Sequence, residues 1–394
     1  MGRFTRLVAL MPIAMGTAFA FAAMPATSVA AAENHETLFV SPTGASGHEG
    51  ESCGTARYST IGAAVAAADS EDTIHVCKGT YAEMVVITKE LRVLGFDATV
   101  DAANHINGFR IGNFPLGPWG AGSETVLRGF TVKNALGEGI LAVRVTEVRI
   151  EKNVVAHNDM GTTVSNTYLE CQAQGQIPGD CGEGLHLMSA THSTVWHNDV
   201  EHNAGGVLMT DEFGPANGNV ISHNVVSNNA PDCGITIPSH NTNSFANGKP
   251  QPTIGGVFNN LITGNLVEHN GEGGVLFGGA GPGAAVYNNE VTGNTIRNNG
   301  FAAVTLHDHT PGQDFNGNEI EDNWIGTSNV TGDPDFGLFL TTGIEIASVA
   351  DQIHIVIEDN HIEDNHFGIW TKNVPKNSFS DNTFDDVTVK VKQT

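Results

Sequence analysis

Residues 206–217 read GVLMTDEFGPAN: an apolar, strand-like run ends on two adjacent carboxylates, Asp211 and Glu212, followed by the turn formers Gly214 and Pro215. A third acid, Asp232, precedes the apolar segment CGITI, and His240 follows it. Further on, HDHTPGQDFNGN supplies His307, His309 and Asp314. Carboxylates and imidazoles of this kind support three chemistries. Two carboxyl groups can hydrolyse a glycosidic bond, one protonating the leaving oxygen while the other activates water. A Ca2+ ion held by Asp211, Glu212 and Asp232 could neutralise a uronic acid, with His240 or His307 taking its C5 proton in a β-elimination. Glu212, His240, His307 and His309 could instead hold a transition metal in a protein that binds and does not catalyse. The catalytic candidates are therefore Asp211, Glu212, Asp232, His240, His307 and His309. His186 and Asp314 are candidates for substrate binding, and the metal stays open.

The elements that carry these residues repeat. NVVAHN at 153 returns as NDVEHN at 198, NVVSNN at 224, NLVEHN at 265, NTIRNN at 294, NEIEDN at 318 and NHIEDN at 360. A second element follows each: GLHL at 184, GVLM at 206, GITI at 234, GVLF at 274, AVTL at 303, GIEI at 343 and GIWT at 368. The closest spacings set a unit of about 22–25 residues holding three short strands of period 2, punctuated by Asn and Gly that tolerate sharp turns. Such a unit is one coil of an all-β parallel β-helix, and it buries its inward side chains only when stacked on neighbours. The recurrent Asn then forms a structural hydrogen-bonded ladder.

Aligning the second elements on their first residue places His186, Leu208, Thr236, Leu276, Thr305 and Glu345 in one outward column. Four positions further on, Glu212 meets His240 one coil away, roughly 5 Å, with His309 two coils beyond His240, roughly 10 Å. His157, His202, His223 and His269 each precede a repeat Asn and read as turn residues. Trp119, Trp196, Trp324 and Trp370 read as packing residues rather than sugar platforms. Insertions at 159–183, 238–258 and about 326–342 interrupt the pattern and are expected to wall a groove.

The ends and the composition narrow the setting. Arg3 and Arg6, an apolar stretch from Leu7 and small residues up to Ala32 describe a secretory signal peptide over 1–32, followed by a lead-in over 33–57 and the β-helix over 58–394. Loss of the signal peptide takes the formal charge from −25 to −27. That acidity argues against nucleic acid and anionic membranes as partners. It leaves a polysaccharide or another extracellular small molecule as the expected partner. From Asn153 to Ile296 the only Lys or Arg is Lys249. Export permits disulfides, and the spacing suggests Cys53–Cys77 and Cys171–Cys181, with Cys233 a free buried thiol.

On these repeats the chain resembles the right-handed parallel β-helix proteins of the pectate-lyase-like superfamily, in the branch that includes NosD-like proteins. The opening stretch YSTIGAAVAAADSEDTIHVCKGTYAEMVVITKELRVLGF (58–96) is similar to that superfamily's first unit, which implies a short helix capping the N-terminal coil. Members of the superfamily include polysaccharide lyases, glycosidases, esterases and epimerases, as well as proteins with no established catalysis. The order TDEFG, DCGI, SH also resembles the polygalacturonase-type glycosidases. It departs from them at Pro231, at the missing glycines around His240 and in having no Arg-Ile-Lys motif. The resemblance implies a secreted enzyme cleaving glycosidic linkages, as lyase or hydrolase; a non-catalytic binding or metal-handling module is the alternative.

Overall fold

The computed structural model describes residues 35–394 other than 45–49, 116, 159–181, 231, 350–351 and 376–377. Cys171, Cys181 and most of the first insertion lie outside the described residues. Within them the chain is a parallel β-helix. Two long sheets of 21 and 11 strands run its length, and a three-stranded sheet pairs Ala216–Asn217, Val257–Phe258 and Val286–Tyr287. One α-helix, Ile61–Ala67 (α1), packs at the N-terminal end, capped by Thr60 through its hydroxyl. Thr37–Val40 pairs in parallel with Thr73–Val76, so the first rung begins within the lead-in. No helix among the described residues is long and apolar enough to cross a membrane.

The 11-stranded sheet carries the candidate residues. Its strands are β1 (Val85–Ile87), β2 (Phe109–Ile111), β3 (Ile140–Val143), β4 (Glu183–Met188), β5 (Gly205–Thr210), β6 (Ile235–Ser239), β7 (Val275–Gly279), β8 (Val304–Asp308), β9 (Thr342–Ser348), β10 (Phe367–Lys372) and β11 (Val389–Gln393). Leu185, Val207, Ile235, Val275, Val304, Ile344 and Ile369 stand in register inside the coil. Each is at most 1% exposed, so like stacks on like and every coil lends its neighbour a buried surface.

Asparagine ladders hold the turns. Asn198, Asn224, Asn265, Asn294, Asn323 and Asn360 each donate a side-chain N–H to the next Oδ1 at 3.0 Å. Each receiving oxygen also accepts the backbone N–H of the Asn before it, as Asn265 does from Asn224 at 2.9 Å. Buried amides are thus satisfied coil by coil. The glycine that opens most strands of the site sheet, Ala303 being an exception, follows from a second ladder. A Cβ on Gly234 would stand 2.4 Å from Val267 Cγ1 and 2.7 Å from Asn270 Nδ2. The histidines before the ladder residues sit in the left-handed region, with φ of 59° at His157, 56° at His202 and His223, and 58° at His269. They are turn residues, as their positions imply. Cys53 and Cys77 are bonded, and Cys233 is free and buried.

Candidate active site on the outer face of the site sheet

The register expected from the glycines is the register observed: His186, Leu208, Thr236, Leu276, Thr305 and Glu345 pair rung by rung from β4 to β9. Their exposure is uneven. His186, Thr305 and Glu345 are fully buried, while Thr236 and Leu276 are half-buried. An accessible strip therefore crosses β6 and β7 between covered ends, and three polar clusters adjoin it.

The first cluster lies past the ends of β5 and β6. His240 Nδ1 meets Glu212 Oε1 at 2.8 Å, the contact expected from the repeat. Thr210 hydrogen-bonds Glu212 and lies 2.8 Å from His186 Nε2, and His186 Nδ1 lies 3.3 Å from Glu138. Burial works against the Glu212 charge, but His240, His186 and Thr210 outweigh it and hold the carboxyl down to about 2. Asp211 has a different place from its neighbour. It is fully buried and accepts five hydrogen bonds, from the Ser239 hydroxyl (2.9 Å), the His240 N–H (2.7 Å), the Asn241 N–H (3.0 Å), the Ser244 hydroxyl (2.6 Å) and the Gly256 N–H. Burial raises its pKa against those donors. The paired acid thus has a division of labour. Asp211 fastens the 238–258 insertion to the coil, and Glu212 fastens His240. With every Asp211 lone pair engaged and Asp232 at the opposite edge of the sheet, the calcium arrangement of Asp211, Glu212 and Asp232 is not formed.

The second cluster lies before β6 and β7. Asp232 and Glu272 occupy equivalent places on adjacent rungs, the Glu272 N–H donating to the Asp232 carbonyl at 3.1 Å. Ligating atoms of Asp232, Cys233 and Glu272 all lie within 4.8 Å of one another. Both acids are half-buried. Burial and the Asp232 charge push Glu272 up to about 7, with Asp333 and Asp335 adding to the rise. The Cys233 thiol, 3.7 Å from Glu272 Oε2, is driven well above its ordinary range by burial and both acids, which makes it a proton-bearing donor rather than a nucleophile.

The third cluster forms where the 326–342 insertion folds over β8 and β9. A tight hairpin pairs Asp333 with Leu338, and Asn329 fixes it by donating to the carbonyls of Leu338 and Leu340. Asp333 Oδ2 comes to 2.7 Å from His307 Nε2, while Asp335 Oδ2 stands 3.8 Å from His307 Nδ1 and 3.5 Å from His309 Nε2. Phe336 stacks on His309 at 5.6 Å between centroids. Burial, with the Asp333 and Asp335 charges, pushes Glu345 up to about 9. Burial opposes the Asp333 charge too, but His307 holds that carboxyl below its ordinary range. His309 is lowered by burial and by His307.

The six catalytic candidates therefore divide three ways. Glu212 and His240 meet, as do His307 and His309, with only β7 between the strands that carry the two pairs. Glu212, His240, His307 and His309 accordingly do not converge on one metal. His186 is enclosed between Glu138 and Thr210. Asp314 closes its own turn, accepting from the Asn316 backbone and side chain at 3.1 and 2.6 Å. Sequence reasoning passed over Glu272, Asp333, Asp335 and Glu345. Glu272 sits two residues before its strand glycine just as Asp232 does, and Glu345 stands in the outward column, so both carried a signal. The acids of the hairpin carried none beyond their insertion.

The Beta_helix family, described as a right handed beta helix region, matches residues 119–249 and 253–391, and the chain belongs to that family. No curated protein matches the sequence. Among solved structures the chain is similar to the A-module of Azotobacter vinelandii mannuronan C-5 epimerase AlgE4, with a TM-score of 0.57 and 15% identity over 85% of this chain and 94% of that one. The AlgE6 A-module of the same organism gives 0.56 and 16% over 84% and 90%. A mutant DFA-IIIase from Arthrobacter chlorophenolicus A6, in complex with DFA-III, gives 0.52 and 13% over 80% and 74%. At these identities the likeness is one of fold.

Proposed function

We propose that the chain is a secreted enzyme that cuts glycosidic linkages of a polysaccharide, with Glu272 as its acid/base and Asp232 as its nucleophile. The observation that carries this reading is their placement: two half-buried carboxyls on adjacent rungs, at the edge of the accessible strip across β6 and β7. Like charges on neighbouring rungs separate in pKa, leaving one group ionised and the other protonated near neutral pH. Glu272 protonates the leaving glycosidic oxygen. Asp232, whose Oδ1 accepts the Cys233 N–H at 2.6 Å, attacks the anomeric carbon as that oxygen leaves, and Glu272, now ionised, deprotonates the water that displaces the sugar from Asp232. Carboxyl oxygens within 4.8 Å leave no room for an intervening water, which favours the double displacement that retains configuration. His309 and Asp335, both exposed, offer hydrogen bonds to flanking sugar hydroxyls. The signal-like leader supports export, and the polymer named in the epimerase relatives supports a polysaccharide substrate. The test is a panel of neutral and uronate polysaccharides with reducing-sugar and 235-nm readouts, followed by NMR of the first-formed anomer. Retention and loss of activity in Glu272→Gln support the reading. Activity unchanged in Glu272→Gln, or product seen only as 235-nm absorbance, defeats it.

A further inference from the structure

We propose that His307, Asp333 and Glu345 form a binding site for one first-row divalent transition-metal ion. Three successive elements deliver them: β8, the 333–338 hairpin and β9. One ligating atom from each lies within 4.8 Å of the others, and all three residues are buried. At these positions the ordinary rule of burial fails. His307 Nε2, Asp333 Oδ2 and both Glu345 carboxylate oxygens are buried, and none of them makes a well-aligned hydrogen bond; outside one another they meet no polar partner. Buried polar atoms are almost always satisfied, and four such atoms on three converging side chains form a donor set that a cation would satisfy. The His307–Asp333 contact fits the same account. Its atoms stand at 2.7 Å, a close polar contact whose angles are poor for a hydrogen bond. Side chains aimed at a common third point approach one another in that way.

The surroundings agree. Asp333 Oδ1 is occupied by the Asp335 N–H at 2.8 Å, which turns Oδ2 toward His307. Asp335 stands on the Nδ1 side of His307, at 3.8 Å, the side from which an outer carboxylate orients a metal-bound imidazole. By contrast, the Glu138 carboxylate and the His186 ring in the other buried cluster are satisfied: Glu138 accepts from Asn107 at 2.9 Å, and the ring meets Glu138 and Thr210. One imidazole and two carboxylates suit Mn2+, Fe2+ or Zn2+. They do not suit Ca2+, which takes six to eight oxygens. Three protein ligands leave a coordination position for water or a sugar oxygen, beside the exposed His309 and Asp335.

The test reads binding, so it is independent of the sugar-cleaving reading. The full, tag-free chain is stripped with EDTA and dialysed. It is then titrated with Zn2+ and Mn2+ by calorimetry and with Co2+ by visible absorption. One ion per chain is expected, with a Co2+ spectrum showing nitrogen ligation and little uptake of Ca2+. Glu345→Gln and Asp333→Asn are expected to abolish stoichiometric uptake, and Asp335→Asn to weaken it about 10–100-fold. Asp333 lies on the hairpin outside the stacked coils, so its variant keeps the test valid if Glu345→Gln does not fold by circular dichroism. Retained uptake in Glu272→Gln places the ion at the proposed site and away from the Asp232–Glu272 pair. The proposal is overturned if no stoichiometric ion binds, if Ca2+ binds as well as Zn2+, if Asp333→Asn binds like wild type, or if uptake is lost in Glu272→Gln instead.

Discussion

Asp211→Asn separates a fastening role from a chemical one. The carboxylate takes five donors, and three of them are backbone N–H groups that cannot turn away. Oδ1 serves the N–H groups of His240 and Asn241; Oδ2 serves Gly256 and the hydroxyls of Ser239 and Ser244. An asparagine keeps one oxygen and presents an NH2 on the other side. Whichever way it lies, at least one buried backbone donor faces another donor. That unmet group costs about 1–3 kcal/mol, and the bonds that survive lose their charge assistance. The total comes to about 3–5 kcal/mol, as for breaking a buried charged network. At about 2 °C per kcal/mol for a chain of this size, the melting midpoint falls by about 6–10 °C. Calorimetry and amide exchange across 239–256 are the assays, with protection lost first in that segment. A midpoint within about 2 °C of wild type, together with abolished activity, would refute the fastening role and make Asp211 a reacting group.

Glu272→Gln is expected to lower turnover by about 10²–10⁴-fold with an unchanged melting profile. In wild type, kcat/KM falls about tenfold per unit above pH 7, where Glu272 loses its proton; the pH–rate profile checks this limb. Glu212 is held down from 4.5 to about 2, so its stabilisation is complete above pH 4.5 and is lost as pH falls through 2. That is roughly 3 kcal/mol, and chemical denaturation between pH 5 and 2 should show its slope disappear in Glu212→Gln. Asn265→Ala, which removes ladder bonds to Asn224, Asn294 and Ile221, is expected to cost about 2–4 kcal/mol, whereas the exposed turn change His269→Asn stays within about 0.5 kcal/mol, by urea titration.

What was legible in the sequence was what repeats. The spacing of the NxVxxN units and the opening glycines gave the coil, the ladder and the register. Because side chains alternate along a strand and pair across rungs, that register placed Glu212 against His240 before any coordinates did. The left-handed turn histidines followed from the same periodicity. The insertions were visible only as interruptions. How the 238–258 segment wraps Asp211, and how the 333–338 hairpin descends on His307 and Glu345, rests on contacts with no period. Those contacts bury Asp211 as a fastening and cover Glu345, which the register alone places in the outward column. A hydrogen-bonded ladder specifies its neighbour locally, so a one-dimensional pattern suffices to read it. The charge state of a carboxyl depends instead on which distant loop excludes its water, and only the tertiary structure decides that.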